Sequence, residues 1–167
     1  MKQFKHCNKI KLTVKKIDHN IINEKIKYII QNSFNESIKL KSNILNSNII
    51  DQIGNVALNI VNSFQNEGKI FFAGNGGSFA DSQHLAAEFV SRFLFDRKAL
   101  PAIALGTNSS GMSAISNDYD YKDIFSRELD ALASKKDFFI PITTSGNSKN
   151  LIEAVKLAKV KGLKIIA

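Results

Sequence analysis

A glycine-rich stretch near the middle of the chain combines residue types that can bind an anion. Gly74, Gly76 and Gly77 follow an apolar run (69–73) typical of a buried strand, and Ser78 opens a capping-box pattern that predicts a helix start. At a junction of strand, loop and helix, free backbone N–H groups meet the positive end of the helix dipole. The stretch therefore favours a phosphate or sugar-phosphate site, with an ordinary tight turn as the alternative.

Two named phosphate motifs do not fit this stretch. The dinucleotide fingerprint G-x-G-x-x-G requires a third glycine where the chain has Phe79, and the P-loop requires a lysine directly after its glycines. The sequence therefore predicts a phosphate site of another kind.

The helix predicted after the loop carries a second set of polar residues. Asp81, His84, Glu88 and Arg92 recur every three or four residues and so share one face. One interpretation is a solvated face with weak ion pairs, each worth about 0.2–0.5 kcal/mol. The other is a divalent metal site, because the imidazole of His84 and the carboxylate of Glu88 are both good zinc ligands. Spacing alone favours the solvated face.

A hydroxyl-rich loop later in the chain has the same setting. It lies between an apolar run predicted as a strand (138–142) and a helical pattern (151–161). Hydroxyl groups at a helix N-terminus can donate to a phosphate without adding charge, whereas a simple helix cap at Ser148 is the alternative. Two such loops at the carboxyl ends of parallel strands, where open α/β sheets bind ligands, favour phosphosugar binding. The hydroxyl residues are Thr143, Thr144, Ser145 and Ser148.

The elements that position these loops follow from hydrophobic spacing. Helical patterns cover 22–45 and 49–64, the second with Gly68 at the expected C-cap. Apolar runs predict further strands at 101–105 and 163–167. Strands separated by helices predict an α/β domain with a doubly wound parallel sheet flanked by helices.

Two local features bear on these elements. Pro141 lies inside the strand predicted at 138–142, where its missing N–H predicts a bulge or a distorted strand. Asn117 and Asp118 form a turn signal after a short helical pattern.

Composition limits the classes of protein that fit. A chain of 167 residues with 44% hydrophobic content predicts one domain with a sizeable core. The single cysteine, Cys7, excludes a disulfide framework and indicates a cytoplasmic location. With no apolar run of spanning length and no signal peptide, no membrane association is expected.

The positive charge of the chain is concentrated at its start. The net charge is +8, but residues 1–20 contain six Lys and one Asp and carry +5 of it. The remaining +3 is too small to indicate a nucleic-acid-binding face, so no nucleic-acid partner is expected. Residues 1–21 are interpreted as a disordered basic leader, and 22–167 as the folded domain.

The motifs together resemble a known family. The segment 74–93 reads G-N-G-G-S-x-x-D-x-Q-H-x-A-A-E-F-x-x-R-F and is similar to the sugar isomerase (SIS) domain family, and within it to the phosphoheptose isomerases. The resemblance runs from about Ile22 to the last residue and includes TTSGNS from Thr143. It implies an aldose–ketose isomerase that converts sedoheptulose 7-phosphate to D-glycero-D-manno-heptose 7-phosphate for lipopolysaccharide or capsule heptose synthesis.

The resemblance also implies roles for single residues. Glu88 would be the catalytic base and a metal ligand, His84 a second metal ligand, and the metal zinc. A homotetramer is implied, with the helix at 22–45 packed between subunits and His84 and Glu88 at a subunit boundary. The implied substrate-binding positions are Asn75, Gly76, Gly77, Ser78, Glu88, Asn117, Asp118, Thr143, Thr144, Ser145 and Ser148.

The chain departs from the family pattern in two respects besides Pro141. Phe79 places a bulky ring beside the phosphate loop, where a small or polar residue is usual. Family members continue past the fourth strand into a helix with R-I-Q-E-x-H, whose Gln and His complete the metal site. The domain is therefore expected to be truncated at its C-terminus, without the remaining metal ligands, and residues 1–167 alone are not expected to be a competent isomerase.

Two other functions are compatible with the family resemblance. A related SIS protein binds the bacterial replication initiator and is no isomerase, but it lacks the Glu one turn after the His and has Arg in place of Ser145. Glu88 and Ser145 therefore favour the enzyme. The third possibility is an inactive, truncated isomerase.

Overall fold

The computed structural model describes residues 19–167, which fall into two compact units divided between Gln52 and Ile53. The described part of the first unit consists of α1 (His19–Leu45) and the start of α2 (Ile49–Gln65). Residues 1–18 of the predicted leader (1–21) lie outside the described residues, and its last three residues belong to α1, which begins at His19. The boundary between leader and domain stays a prediction.

Helix α1 carries large apolar side chains on its surface. Ile26, Ile29, Ile30, Phe34 and Ile38 are each 49–67% exposed. Of the helices in residues 19–167, none has the length and hydropathy that crossing a bilayer would require.

The second unit is built on a four-stranded, fully parallel sheet in the order β2-β1-β3-β4. Helices lie between consecutive strands, as a parallel sheet requires. This confirms the predicted doubly wound α/β architecture. In chain order the elements after α2 are β1 (Ile70–Gly74), α3 (Gly77–Val90), β2 (Ala102–Ala104), α4 (Ser109–Asp118), a 3-10 turn (Tyr121–Asp123), α5 (Ile124–Leu132), β3 (Phe138–Ile142), α6 (Lys149–Val160) and β4 (Lys164–Ile165).

Both faces of the sheet are covered, because successive residues of the central strand β1 point to opposite sides. Phe71 and Ala73 pack with buried residues of α5 and α6. Ile70 and Phe72 belong to a second cluster, with Ala86 of α3 and with partly buried residues of α2 and α3 against it. The two clusters hold β1 and β3 rigidly, and with them the loops at their carboxyl ends.

A fully buried carboxylate ties the starts of β1 and β3 together. Asp137 accepts hydrogen bonds from the backbone N–H of Lys69 (2.8 Å) and of Ser134 (2.7 Å). The ammonium group of Lys69, which is partly exposed, lies 3.4 Å from the second carboxylate oxygen. Asp137 therefore satisfies two backbone donors that no other acceptor in the described residues reaches.

Pro141 does not distort its strand, so the predicted bulge was wrong. The register of β3 against β1 is continuous through the Ala73–Pro141 pair. The N–H of Phe138 points towards β1, and alternation along the strand therefore turns the nitrogen of residue 141 to the opposite side. On that side β4 pairs with Phe138 and Phe139 only, so position 141 needs no donor.

Two predicted helix ends also differ from the structure. The residue with positive φ after α2 is Glu67 (φ 61°), and not the expected Gly68. Gly68 is needed for close approach instead, because a Cβ there would lie 2.6 Å from the carbonyl oxygen of Lys136. Asn117 and Asp118, predicted as a turn, form the last residues of α4.

Candidate active site

The glycine loop connects β1 to α3 with almost no side-chain bulk. A Cβ on Gly74 would lie 2.4 Å from the carbonyl oxygen of Ser78, and Gly76 has a φ of +57°. The prediction that Ser78 caps the helix was wrong, because the N-cap residue is Gly76 and no side chain makes a capping hydrogen bond there. The N–H groups of Ser78 and Phe79 bond to backbone carbonyls, whereas those of Gly76 and Gly77 meet no backbone acceptor in residues 19–167. The loop therefore offers a ligand two N–H donors, fewer than a whole helix turn would.

Phe79, the bulky residue of this loop, has a place in the fold. Its ring lies against Gly106, where a Cβ would come within 3.2 Å of the ring edge. Gly106 also has a positive φ of 82°, which glycine adopts without strain. The ring therefore packs on the neighbouring loop after β2.

The hydroxyl loop after β3 keeps its O–H groups available. Thr143 Oγ1 accepts the N–H of Gly146 and Ser145 Oγ accepts that of Asn147, each at 3.2 Å. Ser148 is the N-cap residue of α6, yet its side chain makes no capping bond. A hydroxyl that accepts through its oxygen can still donate its proton. The simple-cap interpretation of Ser148 thus finds no support, and three O–H groups can donate to a ligand.

The structure brings the two loops together. Their strands are neighbours, with Gly74 paired to Ile142. The side-chain amides of Asn75 and Asn150 bond to each other at 3.0 and 2.8 Å, and the Tyr121 hydroxyl donates to Asn75 Oδ1 at 3.2 Å. The amide pair links the glycine loop directly to the start of α6.

A polar cavity of about 400 Å³ opens at this junction. Two lysines contribute positive charge to its wall, and Asp120 contributes a carboxylate. The backbone N–H of Lys122, which donates to Asp120 Oδ1 at 2.9 Å, lowers the pKa of that carboxyl, so it stays ionised at neutral pH. The net charge of the wall favours an anion. The lining residues are Asn75, Asp120, Tyr121, Lys122, Ser148, Lys149 and Asn150.

His84 and Glu88 lie together on α3 as their spacing predicts. Their Nε2 and Oε1 atoms are 3.6 Å apart, with the His84 side chain 75% exposed and the Glu88 side chain 32% exposed. Arg92 does not share this face, because α3 ends at Val90. Residues 19–167 contain no group of three or more His, Cys, Asp or Glu side chains able to hold a metal. The pair alone provides two donors of the right chemistry.

This pair lines a second cavity, separate from the first. The cavity has about 550 Å³ and is otherwise lined mainly by apolar side chains, among them Phe89 and Phe93. At 1.5 Å rise per residue, Glu88 lies about 16 Å along the helix from Gly77. Within one chain the structure therefore does not unite Glu88 and His84 with the two loops.

Of the predicted substrate positions, Asn75 and Ser148 line the polar cavity and the other nine do not, whereas residues that do line it were missed. Asn117 and Asp118 are exposed and bond to each other at 2.8 Å. Tyr121 and Asn150 were not predicted, because their contacts with Asn75 bridge 46 and 75 positions of the chain. No spacing pattern within one element could have indicated them.

Comparison with known proteins identifies the family. The sequence model of the SIS domain family matches residues 33–167. The phosphoheptose isomerase of Aneurinibacillus thermoaerophilus is 48% identical over 144 residues, which cover 85% of this chain and 70% of the relative. Phosphoheptose isomerase 2 of Campylobacter jejuni is 46% identical over 139 residues, with coverage of 83% and 69%.

Solved structures agree with the sequence relatives. The phosphoheptose isomerase of Francisella tularensis superposes with a TM-score of 0.76 at 34% identity, covering 83% of this chain and 72% of that chain. The phosphoheptose isomerase of Neisseria gonorrhoeae superposes with a TM-score of 0.74 at 37% identity, covering 85% of this chain and 73% of that chain. The chain therefore belongs to the SIS domain family, among the phosphoheptose isomerases.

Proposed function

We propose that the protein is an aldose–ketose isomerase that interconverts sedoheptulose 7-phosphate and D-glycero-D-manno-heptose 7-phosphate. Its relatives at 44–48% identity carry the name phosphoheptose isomerase. The observation that carries the proposal is the pair of loops joined by Asn75 and Asn150 at the carboxyl edge of the sheet, where α/β proteins bind ligands. A further support is the carboxylate of Glu88, a base of the kind that isomerisation needs.

The phosphate of the substrate binds at the polar cavity. The N–H groups of Gly76 and Gly77 and the free hydroxyls of the second loop are donors, and Lys122 and Lys149 supply charge. The substrate-binding residues proposed here are Asn75, Gly76, Gly77, Ser78, Thr143, Thr144, Ser145 and Ser148, with Glu88, Asn117 and Asp118 towards the sugar.

Removing one hydroxyl of this cradle should weaken phosphosugar binding. We expect Ser145→Ala to raise the Kd for sedoheptulose 7-phosphate about 5-fold or more, since a charge-assisted hydrogen bond is lost. Ser126→Ala is the matched control, because the Ser126 hydroxyl bonds to the carbonyl of Asp123 on another part of the surface. Calorimetric titration measures both, and equal Kd values for the two variants would contradict the cradle.

The reaction moves one proton between neighbouring carbons. The base removes a proton from C1 of the ketose, the C1–C2 enediol forms, and a proton returned to C2 with loss of the hydroxyl proton at C1 yields the aldose. Glu88 is the proposed base, and its partly exposed carboxylate faces a cavity that a sugar can enter. Apolar side chains form most of the wall of that cavity.

Zinc is the metal that we propose for this site. Imidazole and carboxylate side chains suit zinc, and His84 and Glu88 lie one helix turn apart. A bound zinc ion would polarise the substrate carbonyl. Zinc sites take three or four protein ligands, so one or two further donors must join this pair. Titration with zinc tests the assignment without an activity assay: a chain extended through the R-I-Q-E-x-H helix should bind one ion, and His84→Ala should abolish that binding. Residues 1–167 alone should bind zinc far more weakly, because two donors are too few.

We also propose a homotetramer in which the apolar face of α1 packs between subunits. Exposed apolar patches of this kind mark interfaces. Such an assembly can supply Glu88 of one subunit and the loops of another to one site, which a single chain does not do.

The tetramer makes a direct prediction for solution mass. Light scattering at micromolar concentration should give four chains, and Phe34→Asp should lower the mass because it buries a charge in the interface. Asn35→Asp, at the next, exposed position of α1, is the control. A folded monomer for the unmodified protein would contradict the proposal.

The location and pathway follow from the same proposal. The protein acts in the cytoplasm, and its product enters heptose synthesis for lipopolysaccharide or capsule. Incubation with sedoheptulose 7-phosphate and zinc tests the reaction in two forms of the protein: residues 1–167 alone, which should be inactive, and a chain extended through the R-I-Q-E-x-H helix, which should turn over the substrate. Carbon-13 resonances of an aldose should appear as the ketone signal declines.

A further inference from the structure

The orientation of a buried side-chain amide in the site is fixed by the backbone. Asn150 is 3% exposed, and its Oδ1 accepts the N–H of Leu151 at 2.9 Å. A backbone N–H can only donate, so the oxygen of this amide must lie on that side. The same Oδ1 accepts from Asn75 Nδ2 at 3.0 Å, which fills its two lone pairs.

The fixed amide of Asn150 orients Asn75 in turn. Asn75 Nδ2 faces Asn150 Oδ1, and Asn75 Oδ1 therefore faces Asn150 Nδ2 at 2.8 Å. The Tyr121 hydroxyl donates to the same Oδ1 at 3.2 Å. Both lone pairs of Asn75 Oδ1 are then in use, while one of the two Nδ2 hydrogens has no protein acceptor in the described part of the chain. Towards the polar cavity, Asn75 can only donate.

We propose that Asn150 and Tyr121 are positioning residues that make Asn75 a dedicated hydrogen-bond donor to an acceptor oxygen of the substrate. The inference rests on the proposed function, since it concerns how that site recognises its phosphosugar. A phosphate oxygen or sugar carbonyl accepts hydrogen bonds and does not donate them. An amide that was free to turn would sometimes present its oxygen to this acceptor atom, and two acceptors cannot form a hydrogen bond with each other. Locking the amide excludes that arrangement before the substrate arrives.

The position of Tyr121 allows a clean test of this role. Tyr121 is 55% exposed, so Tyr121→Phe removes one hydroxyl without opening a cavity in the core. Tyr119→Phe is a matched control two positions earlier, because the Tyr119 ring stacks under Arg127 at 3.8 Å and its hydroxyl bonds to no described residue.

The first experiment is a double-mutant cycle on binding of sedoheptulose 7-phosphate, followed by calorimetry. Tyr121→Phe should raise the Kd about 3- to 10-fold and Asn75→Ala at least as much. In the Asn75→Ala background Tyr121→Phe should have no further effect, because Tyr121 acts through Asn75. Tyr119→Phe should leave the Kd unchanged, and none of the tyrosine variants should shift the Tm. Penalties of Tyr121→Phe and Asn75→Ala that simply add would overturn the inference.

The second experiment needs no ligand. In nitrogen-15 spectra of the free protein, one Nδ2 hydrogen of Asn75 should exchange with water more slowly than the other. In Asn150→Ala the two should exchange alike, and in Tyr121→Phe the pair of resonances should shift. Unchanged Asn75 resonances in a folded Tyr121→Phe protein would overturn the inference. Failure of the unmodified protein to bind sedoheptulose 7-phosphate would instead contradict the proposed function, and the spectra would still decide the role of Asn150 and Tyr121.

Discussion

In a chain extended through the R-I-Q-E-x-H helix, replacing Glu88 with Gln is expected to lower kcat for sedoheptulose 7-phosphate about 10²- to 10⁴-fold, the usual contribution of a general base. The amide has the size of the carboxylate but cannot take a proton from the sugar. The KM should change much less, because the phosphate site proposed above lies at the loops after β1 and β3, in a cavity that Glu88 does not line. Initial rates at several substrate concentrations measure both constants.

Glu153→Gln is the matched control for this variant. Glu153 lies on α6 and pairs with Lys156 at 2.7 Å on the surface. The Glu153→Gln variant should therefore isomerise the substrate at the rate of the unmodified protein. The zinc content of Glu88→Gln separates loss of the base from loss of the metal. A Glu88→Gln protein that isomerises at the normal rate would show that Glu88 is not the base.

Asp137→Ala is expected to lower the free energy of unfolding by about 2–4 kcal/mol, because it leaves two buried backbone N–H groups without an acceptor. Those donors belong to Lys69 and Ser134, at the starts of β1 and β3. Loss of the Lys69 ion pair should add little, since that ammonium is partly solvated. Urea unfolding followed by circular dichroism gives the change.

The surface carboxylate Asp130 provides the comparison. It pairs with Lys161 at 3.0 Å and is 66% exposed, so Asp130→Ala should cost less than about 1 kcal/mol. The loss of unfolding free energy in Asp137→Asn should lie between those of Asp137→Ala and Asp130→Ala, because the amide oxygen can still accept one of the two N–H groups. A loss for Asp137→Ala no larger than that for Asp130→Ala would refute the bridging role.

The parts of the fold that were predicted correctly are those in which one local signal dominates. The apolar runs gave β1 and β3 within one residue, and parallel pairing follows from the helices between strands. Pro141 shows where such reasoning fails, because the effect of a missing N–H depends on which neighbour the nitrogen faces. That neighbour is a matter of sheet order, which a strand's own residues do not contain.

The site divides in the same way. The composition of the two loops could be read from the sequence, and so could the His84–Glu88 pair one helix turn apart. The capping box predicted at Ser78 does not form, because Gly76 is the N-cap and α3 already begins at Gly77. The amide pair and Tyr121 could not be predicted, because folding alone brings positions 75, 121 and 150 together.

A crystal structure of the protein with sedoheptulose 7-phosphate bound would show directly whether the two loops form one phosphosugar site. We expect one phosphate group within about 3 Å of donors from both loops, Gly76–Ser78 and Thr143–Ser148. We also expect Asn75 Nδ2 to donate a hydrogen bond to the same ligand. A phosphate that contacts only one loop, or that binds elsewhere on the protein, would contradict the claim that the two loops form one phosphosugar site.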